Sequence, residues 1–282
     1  MRFGFHISIA QGFSKVIDKA KKTKCETIQL FSRNPRGWKY NDLEPNEVEH
    51  FKTKLSSSNI SPCFLHLPYL PNLAAAKKEL YTKSINSLCE DLKRAETLNI
   101  PFLVVHVGSR VTLNEEEAIE KVVKGINESL QRVSNQVMIL LENTAGQGTE
   151  LGSTFSQLQS ILSGVKNKER MGICLDTAHA FEAGYDLSTQ KGLDATLDEF
   201  DQLIGLKNLH LLHLNDSKTP LASHSDRHWH IGKGHIGLEG FRKIVNHPLL
   251  NHLPGIMETP RKDPKDDLRN MEVLRNLITD RG

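Results

Sequence analysis

Short apolar runs alternate with longer amphipathic runs along almost the whole chain. Most of the short runs hold four or more consecutive apolar residues. They cover residues 3–7, 27–31, 63–67, 102–107, 137–142, 172–176, 209–214 and 255–258. Strands that are buried on both faces have this continuous apolar character, so each run is predicted to be a strand.

The segments between these runs have the spacing of surface helices. Residues 75–98 place apolar side chains three and four positions apart, with Lys and Glu on the other side. Residues 114–133 open with Asn114 and three glutamates, which suit the N-cap and first turn of a helix. A last helix is predicted at 265–278, after the eighth strand.

Eight strand–helix repeats in a chain of 282 residues match a (β/α)₈ barrel in number and in length. A doubly wound open sheet would have fewer strands or a clear switch point. No linker or low-complexity segment divides the chain. The sequence therefore predicts an α/β protein with one domain, residues 1–282, that folds as a single TIM barrel.

Composition and charge fit an ordinary globular protein. The chain has 36 basic and 34 acidic residues, which excludes a polycationic surface but not a local basic face. Its four cysteines form no CxxC pair and are interpreted as structural thiols in a reducing compartment. No stretch resembles an export signal or a membrane span. We expect a cytoplasmic monomer that does not bind membranes.

Chemistry-bearing residues recur where the predicted strands end. A barrel places its active site at this C-terminal rim. Six strand ends and two following loops supply nine His, Asp or Glu residues, namely His66, His106, Glu142, Asp176, His179, His213, Asp226, His228 and Glu258. Two further histidines near the rim, His6 and His235, are candidates for supporting hydrogen bonds.

Nine such groups at one rim indicate a metal site. Four carboxylates held together would repel one another without a cation, and His with carboxylate is the ligand set of zinc, with manganese or iron also possible. The carboxylates carry −4, so one, two or three divalent ions leave −2, 0 or +2. A positive net charge at the site suits a phosphodiester substrate, which is negatively charged. Three ligands per ion would leave open positions for water and substrate, as in catalytic sites.

The motifs around these residues are specific when taken together. They read FSRNPRGW (31–38), HLPYL (66–70), HVGS (106–109), ENTAGQG (142–148), CLDTAH (174–179), HLNDSK (213–218), DRH (226–228) and METP (257–260). With these motifs the chain resembles the endonuclease IV family of apurinic/apyrimidinic endonucleases over almost its whole length. It departs from the common family pattern at Gly37, Val107 and the pair Trp229-His230, where Gln, Pro and Glu-Asn are usual.

The resemblance implies a DNA-repair nuclease with three zinc ions per chain, manganese being possible at one site. It implies cleavage of double-stranded DNA on the 5′ side of an abasic site, which leaves a 3′-hydroxyl and a 5′-deoxyribose phosphate. Removal of 3′-blocking groups is a further implied activity. The implied ligands are His66 and His106 for the first ion, Asp176, His213 and Glu258 for the second, His179, Asp226 and His228 for the third, and Glu142 as the catalytic bridge between the first two.

Two rim loops carry candidate DNA contacts. Arg36 follows the second strand, and Tyr69 and Leu70 follow the third, beside the predicted ligand His66. These side chains are predicted to enter the duplex and fill the gap left by an extruded nucleotide. The alternative is that Tyr69 only caps the mouth of the barrel.

A glycine-rich segment, 232–237, fits the pattern G-x-G-x-x-G. A dinucleotide site is not favoured, because the segment does not directly follow a strand. Two interpretations stay open. The glycines lead into a helix near 238–245 whose N-terminus contacts a DNA phosphate, or they form a purely structural turn.

Two other functions compete with the nuclease. Glu142, Asp176, His213 and Glu258 alone resemble the single-metal set of sugar isomerases and epimerases with xylose-isomerase-like barrels. That interpretation leaves the five other donors without a role. A DNA-damage binder that uses zinc only for structure is the third class, and open coordination positions argue against it.

Overall fold

Eight parallel strands close into a barrel in the computed structural model, which describes residues 1–279. The last three residues of the predicted domain, 280–282, lie outside this part. The barrel strands are β1 (Arg2–His6), β2 (Thr27–Phe31), β3 (Cys63–His66), β4 (Phe102–His106), β5 (Met138–Glu142), β6 (Met171–Asp176), β7 (Leu209–His213) and β10 (Pro254–Met257). Chain neighbours are also barrel neighbours, and β10 closes against β1. The predicted TIM barrel is confirmed, and every strand boundary falls within one residue of its prediction.

The helices surround this barrel. They are α1 (Val16–Lys22), α2 (Pro45–Ser56), α3 (Lys78–Thr97), α4 (Glu115–Arg132), α5 (Phe155–Gly164), α6 (Thr177–Ala183), α7 (Gln190–Leu203), α8 (Gly237–Asn246) and α9 (Asp266–Leu277). Asn114 caps α4 as predicted, and its side chain accepts from the backbone N–H of Glu117 at 2.9 Å. Helix α3 begins three residues later than predicted. A turn at Asn72 directly precedes that stretch: the Asn72 side chain accepts from the backbone N–H of Ala74, and its carbonyl accepts from the backbone N–H of Ala75.

A short hairpin stands above the rim between β7 and α8. Its strands are β8 (Asp216–Ser217) and β9 (His228–Trp229), which pair antiparallel. The hairpin returns the chain to the barrel mouth after a loop that covers residues 218–227. Two predicted ligands, Asp226 and His228, are carried on this excursion.

The interior of the barrel is layered. Six fully buried apolar side chains fill its middle, namely Phe64, Val104, Leu140, Cys174, Leu211 and Ile256. Side chains two positions apart on a strand share a face, so the residues two positions further along point into the same interior. On β5, for example, Leu140 is followed by Glu142 at the rim. The apolar layer thus forms the floor on which the polar rim groups stand.

The cysteines have the character expected of structural thiols. All four are buried and unpaired. Burial raises the pKa of Cys63 and of Cys174 to about 12, which keeps both thiols protonated near neutral pH. Among the helices of residues 1–279, none is both long and apolar enough to cross a membrane.

Candidate metal centre

The rim brings all nine predicted ligands into one cluster. Three groups of side chains each place their ligand atoms within 4.8 Å of one another. These groups are His66, His106 and Glu142, then Glu142, Asp176, His213 and Glu258, and finally Asp176, His179 and His228. Asp226 joins the third group from the loop before β9. Glu142 and Asp176 each belong to two groups.

Glu142 lies at the centre of the cluster. Its Oε2 atom is 3.0 Å from His66 Nε2 and 2.9 Å from His106 Nε2. Its Oε1 atom faces the opposite way and is 2.9 Å from His213 Nδ1. The side chain is fully buried. The two carboxylate oxygens therefore face different ligand groups, Oε2 the first and Oε1 the second, which is the arrangement that a bridging ligand requires.

His213 Nδ1 is the focus of the second group. It lies 3.6 Å from Asp176 Oδ2 and 3.4 Å from Glu258 Oε2, in addition to its contact with Glu142. Three strands, β5, β6 and β7, and the residue directly after β10 supply these four side chains. Adjacent strand ends thus converge on one ring nitrogen.

The third group is nearest the mouth. His179 Nε2 and His228 Nε2 are 3.2 Å apart, and they lie 3.4 and 3.5 Å from Asp226 Oδ1. Asp176 Oδ2 is 3.6 Å from His228 Nε2, so Asp176 stands between the second and third groups. The side chain of Asp226 is 42% exposed, which opens this group to solvent.

Hydrogen bonds to the backbone set which ring nitrogen each histidine presents. His66 Nδ1 lies 2.6 Å from the carbonyl of Leu67, and His179 Nδ1 lies 2.9 Å from the carbonyl of Asn143. A carbonyl only accepts, so both Nδ1 atoms carry the proton. Nε2 is then the nitrogen that each ring turns towards the carboxylates, and the one that can bind a metal ion once it has given up its proton.

The donor set and its spacing fit bound cations. Donors around a four-coordinate zinc, with bonds of about 2.0–2.2 Å, lie roughly 3.3–3.6 Å apart, close to the separations at this rim. Burial would raise the pKa of Glu142, but His106 and His213 outweigh it and hold that pKa well below its usual range. Burial would lower the pKa of His179, yet Asp176 and Asp226 hold it well above its usual value. The cluster therefore stabilises positive charge strongly, which divalent ions supply.

Two asparagines that the sequence analysis did not single out hold the carboxylate ligands. Asn215 donates to Asp176 Oδ2 at 2.7 Å and accepts from the backbone N–H of Glu258 at 2.8 Å. Asn143 accepts from the backbone N–H of Asp176 at 2.6 Å. Both follow strand-end segments within the quoted motifs. That position was the only signal available in the sequence.

The two extra rim histidines behave differently. His6 Nδ1 is 3.2 Å from Glu258 Oε1, in the position of a supporting hydrogen bond. The side chain of His235 is exposed, and its backbone N–H donates to the carbonyl of Ser217 at 2.8 Å. The structure thus brings His6 to the ligands and leaves His235 facing solvent.

Buried arginines fasten the loop that carries Arg36. Arg94 of α3 donates to the carbonyls of Ser32 and Asn41, at 2.8 and 2.9 Å, and so ties both ends of the loop. Arg33 donates to the carbonyl of Gly37. Arg36 itself is exposed on this fixed loop. A side chain at position 37 would meet nothing within 4 Å, so Gly37 leaves open space next to Arg36.

Tyr69 and Leu70 stand out from the rim beside the metal cluster. Tyr69 is 67% exposed and Leu70 is 37% exposed. The Tyr69 ring packs edge-on against Phe31, with 5.3 Å between centroids. Tyr69 also lines a cavity of about 330 Å³ whose other walls include ligands from all three groups. Two large exposed side chains next to a polar cavity are suited to contact a macromolecule.

Backbone N–H groups of the glycine-rich segment 232–237 already donate hydrogen bonds to a side chain of the same protein. The carboxylate of Asp216 accepts from the backbone N–H groups of Gly234, Ile236 and Gly237, at 2.9, 3.0 and 3.4 Å. A Cβ atom at Gly234 would lie 2.2 Å from the carbonyl oxygen of Ser217, so this position needs glycine. Because Asp216 already fills the N-terminus of α8, the structure favours the structural turn over the phosphate contact.

Comparison with known proteins agrees with the fold. The family model of xylose isomerase-like TIM barrels matches residues 17–277. Proteins named probable endonuclease 4 are similar along their whole length. The one from Cenarchaeum symbiosum is 46% identical over 98% of this chain and 99% of its own, and the one from Halothermothrix orenii is 44% identical over the same shares. The crystal structure of endonuclease IV from Thermus thermophilus superposes with a TM-score of 0.87, at 36% identity and 98% coverage of both chains.

The barrel and its rim of His, Asp and Glu define a metal-binding enzyme of the xylose isomerase-like TIM-barrel class. Within that class the chain belongs to the endonuclease IV family, and so it is an enzyme of the deoxyribonuclease IV type. A D-tagatose 3-epimerase-like protein also superposes, with a TM-score of 0.73 at 17% identity, and this likeness shows the fold alone.

Proposed function

We propose that this chain is a zinc-dependent DNA-repair endonuclease. It hydrolyses the phosphodiester on the 5′ side of an abasic site in double-stranded DNA, leaves a 3′-hydroxyl and a 5′-deoxyribose phosphate, and also clears 3′-blocking groups. The observation that carries the proposal is the single cluster of nine His, Asp and Glu side chains centred on Glu142, in a chain of this family. We propose about three zinc ions per chain, with manganese as an alternative at one site.

Each of the three ions has its own set of ligands in this proposal. His66 and His106 hold the first, Asp176, His213 and Glu258 the second, and His179, Asp226 and His228 the third. When bound, zinc supplies Lewis-acid activation of the phosphodiester and lowers the pKa of water towards neutrality. Glu142 fixes the spacing of the first two groups, because its two oxygens face different histidines.

Tyr69 and Leu70 are proposed to act on the DNA and not on the bond that breaks. Their exposed, largely apolar surfaces can enter the base stack and occupy the space of an extruded nucleotide. Extrusion costs less at an abasic site, because no base has to be unstacked. Arg36, on the neighbouring loop, contacts either the phosphate backbone or the opened stack.

The sugar isomerase alternative is not favoured by the geometry. It requires one metal at Glu142, Asp176, His213 and Glu258 only. The other five donors also lie in the cluster, and two of them, His66 and His106, contact Glu142 directly. A single-metal site would leave these two buried or half-buried histidine rings without a metal ion to bind.

The experiment that tests the proposed function uses a duplex with one abasic-site analogue, labelled at the 5′ end of the damaged strand. Zinc-loaded protein should cut this strand once, at the lesion, and the product should be extended by a DNA polymerase because it ends in a 3′-hydroxyl. Chelator should abolish the cut, and the same duplex without the lesion is the control. Absence of cleavage, or a cut on the 3′ side, would contradict the proposal.

Replacing Tyr69 and Leu70 together by Ala should weaken binding to abasic duplex while sparing the chemistry. Each unstacking contact contributes a few kcal/mol at most. The double variant should still remove a 3′-terminal phosphate, which needs no wedge. Affinity for the abasic duplex and fluorescence of a base analogue opposite the lesion are the measurements.

Unchanged affinity and fluorescence in the double variant would leave Tyr69 as a packing residue against Phe31. The companion variant is Arg36→Ala. If Arg36 contacts phosphate, the slope of log affinity against log salt should fall by about one. If it enters the stack, the slope should hardly change while the preference for abasic sites falls.

A further inference from the structure

One polar side chain lies in the barrel interior beneath the metal cluster. Gln29, on β2, is fully buried and lies in register with Phe64 of β3, one of the six apolar residues of the floor. On its other side, β1 places His6 in register with Gln29. Burial of an amide in such surroundings is unfavourable unless its polar atoms find partners.

The amide of Gln29 contacts three side chains on three different strands or strand ends. Its Oε1 atom is 2.9 Å from His213 Nε2. Its Nε2 atom is 2.8 Å from Glu258 Oε1 and 3.1 Å from His6 Nδ1. A primary amide offers one acceptor oxygen and two N–H donors. Its oxygen accepts from His213 and one N–H donates to Glu258, so both ends of the amide are used.

These contacts fix the ligand atoms of the second group. A carbonyl oxygen only accepts, so His213 must donate from Nε2, which leaves Nδ1, the atom that faces the three carboxylates, as the nitrogen that gives up its proton when an ion binds. Glu258 accepts through Oε1, which leaves Oε2 free on the side of His213 Nδ1, 3.4 Å away. One side chain thus orients two ligands that come from the ends of two neighbouring strands, β7 and β10.

We propose that Gln29 is the positioning residue of the second metal group. It selects the tautomer of His213 and turns Glu258 towards the ion, and it does so without contacting the ion itself. The proposal rests on the proposed function in one respect, namely that this group holds zinc. Hydrogen bonds that orient metal ligands typically change metal affinity about 10–100-fold when they are removed.

The test compares two variants of the full-length, zinc-loaded protein with a control on the same strand. Gln29→Leu removes the hydrogen bonds to His213 and Glu258. Gln29→Glu keeps an acceptor for His213 but cannot donate to Glu258. Thr27→Val is the control, because Thr27 is equally buried on the same face of β2 and, among residues 1–279, its hydroxyl bonds only the carbonyl of Pro62, at 2.6 Å.

Two readouts distinguish positioning from general destabilisation. Competition with a zinc chelator should show that Gln29→Leu binds its weakest-held zinc about 10–100-fold more loosely than wild type, while the remaining ions stay bound. The imidazole N–H resonance of His213 should shift or be lost to exchange in Gln29→Leu and persist in Gln29→Glu. Thr27→Val should match wild type in both.

Zinc affinities and a His213 resonance that are unchanged in Gln29→Leu would overturn the inference, and so would an equal loosening of all ions in Gln29→Leu and Thr27→Val. Wild-type protein is measured alongside for zinc content and for cleavage of the abasic duplex. Wild type that binds no zinc would overturn the proposed function and this inference together. Wild type that binds zinc and cleaves, beside a Gln29→Leu variant with normal zinc binding, would overturn the inference alone.

Discussion

Glu142→Gln is expected to lower the rate of abasic-site cleavage by more than about a hundredfold, which corresponds to about 2.7 kcal/mol in the barrier. The substitution conserves volume at a fully buried position, so the fold and most DNA binding should persist. An amide nitrogen donates and cannot accept. Glu142 Oε2 faces His66 of the first ligand group and Oε1 faces His213 of the second, at 3.0 and 2.9 Å. The amide therefore deprives one of the two groups of the carboxylate oxygen that they now share through Glu142. Single-turnover cleavage of abasic duplex measures the effect.

Glu182→Gln is the matched control for this prediction. Glu182 is also a fully buried glutamate, one helical turn after His179. One oxygen, Oε1, accepts from Ser217 Oγ and from the backbone N–H of Arg227, at 2.8 and 3.1 Å, and an amide oxygen can do the same. The rate of abasic-site cleavage by Glu182→Gln should stay within about tenfold of the wild-type rate, which corresponds to about 1.4 kcal/mol in the barrier. A Glu142→Gln variant that also stayed within tenfold would remove Glu142 from the bridging role.

Removal of the metal should abolish cleavage altogether. Most of the ligands are buried or half-buried, so a strong chelator should strip the ions slowly and activity should decay over the same period. The thermal midpoint should fall with it, because the ions that bind only the folded state no longer stabilise it and the clustered carboxylates lose their counter-charge. Zinc added back in excess of the chelator should restore both. Cleavage rate and melting temperature against time in chelator are the measurements.

The choice of metal provides the control for this prediction. A rim with five imidazoles among nine ligands favours zinc over magnesium, which prefers oxygen ligands and keeps its waters. Stripped protein should therefore stay inactive in magnesium alone. Full activity in magnesium with zinc chelated would contradict the assignment of this cluster as the catalytic centre.

The fold was predictable because its signals are local. Barrel strands are buried on both faces, so most of them appear in the sequence as an apolar run that ends in a polar residue. That change of polarity marks both the end of the strand and a rim residue, as at Leu141 and Glu142. Six of the nine predicted ligands followed from the same rule, since a barrel brings the ends of distant strands to one place, and the other three lie on the segments that follow two of those strands.

The supporting contacts could not be predicted because they depend on three-dimensional register. Nothing near Gln29 in the sequence indicates that β10 and β7 lie two and three strands round the barrel from β2, or that the Gln29 amide reaches His213 and Glu258. The same holds for Asp216, which caps α8 across a separation of 20 residues to Ile236 and thereby occupies the glycine-rich segment. Both contacts join residues whose spacing along the chain follows no repeat.

The number of zinc ions bound per active chain tests the central claim most directly. Elemental analysis of purified protein, scaled to the fraction of chains that cleave abasic duplex in a single turnover, gives this number. The nine-ligand cluster predicts about three, with activity rising only as the last of them binds to stripped protein. Full activity with one ion per chain would contradict the account and would return the site to the single-metal chemistry of its isomerase-like relatives in fold.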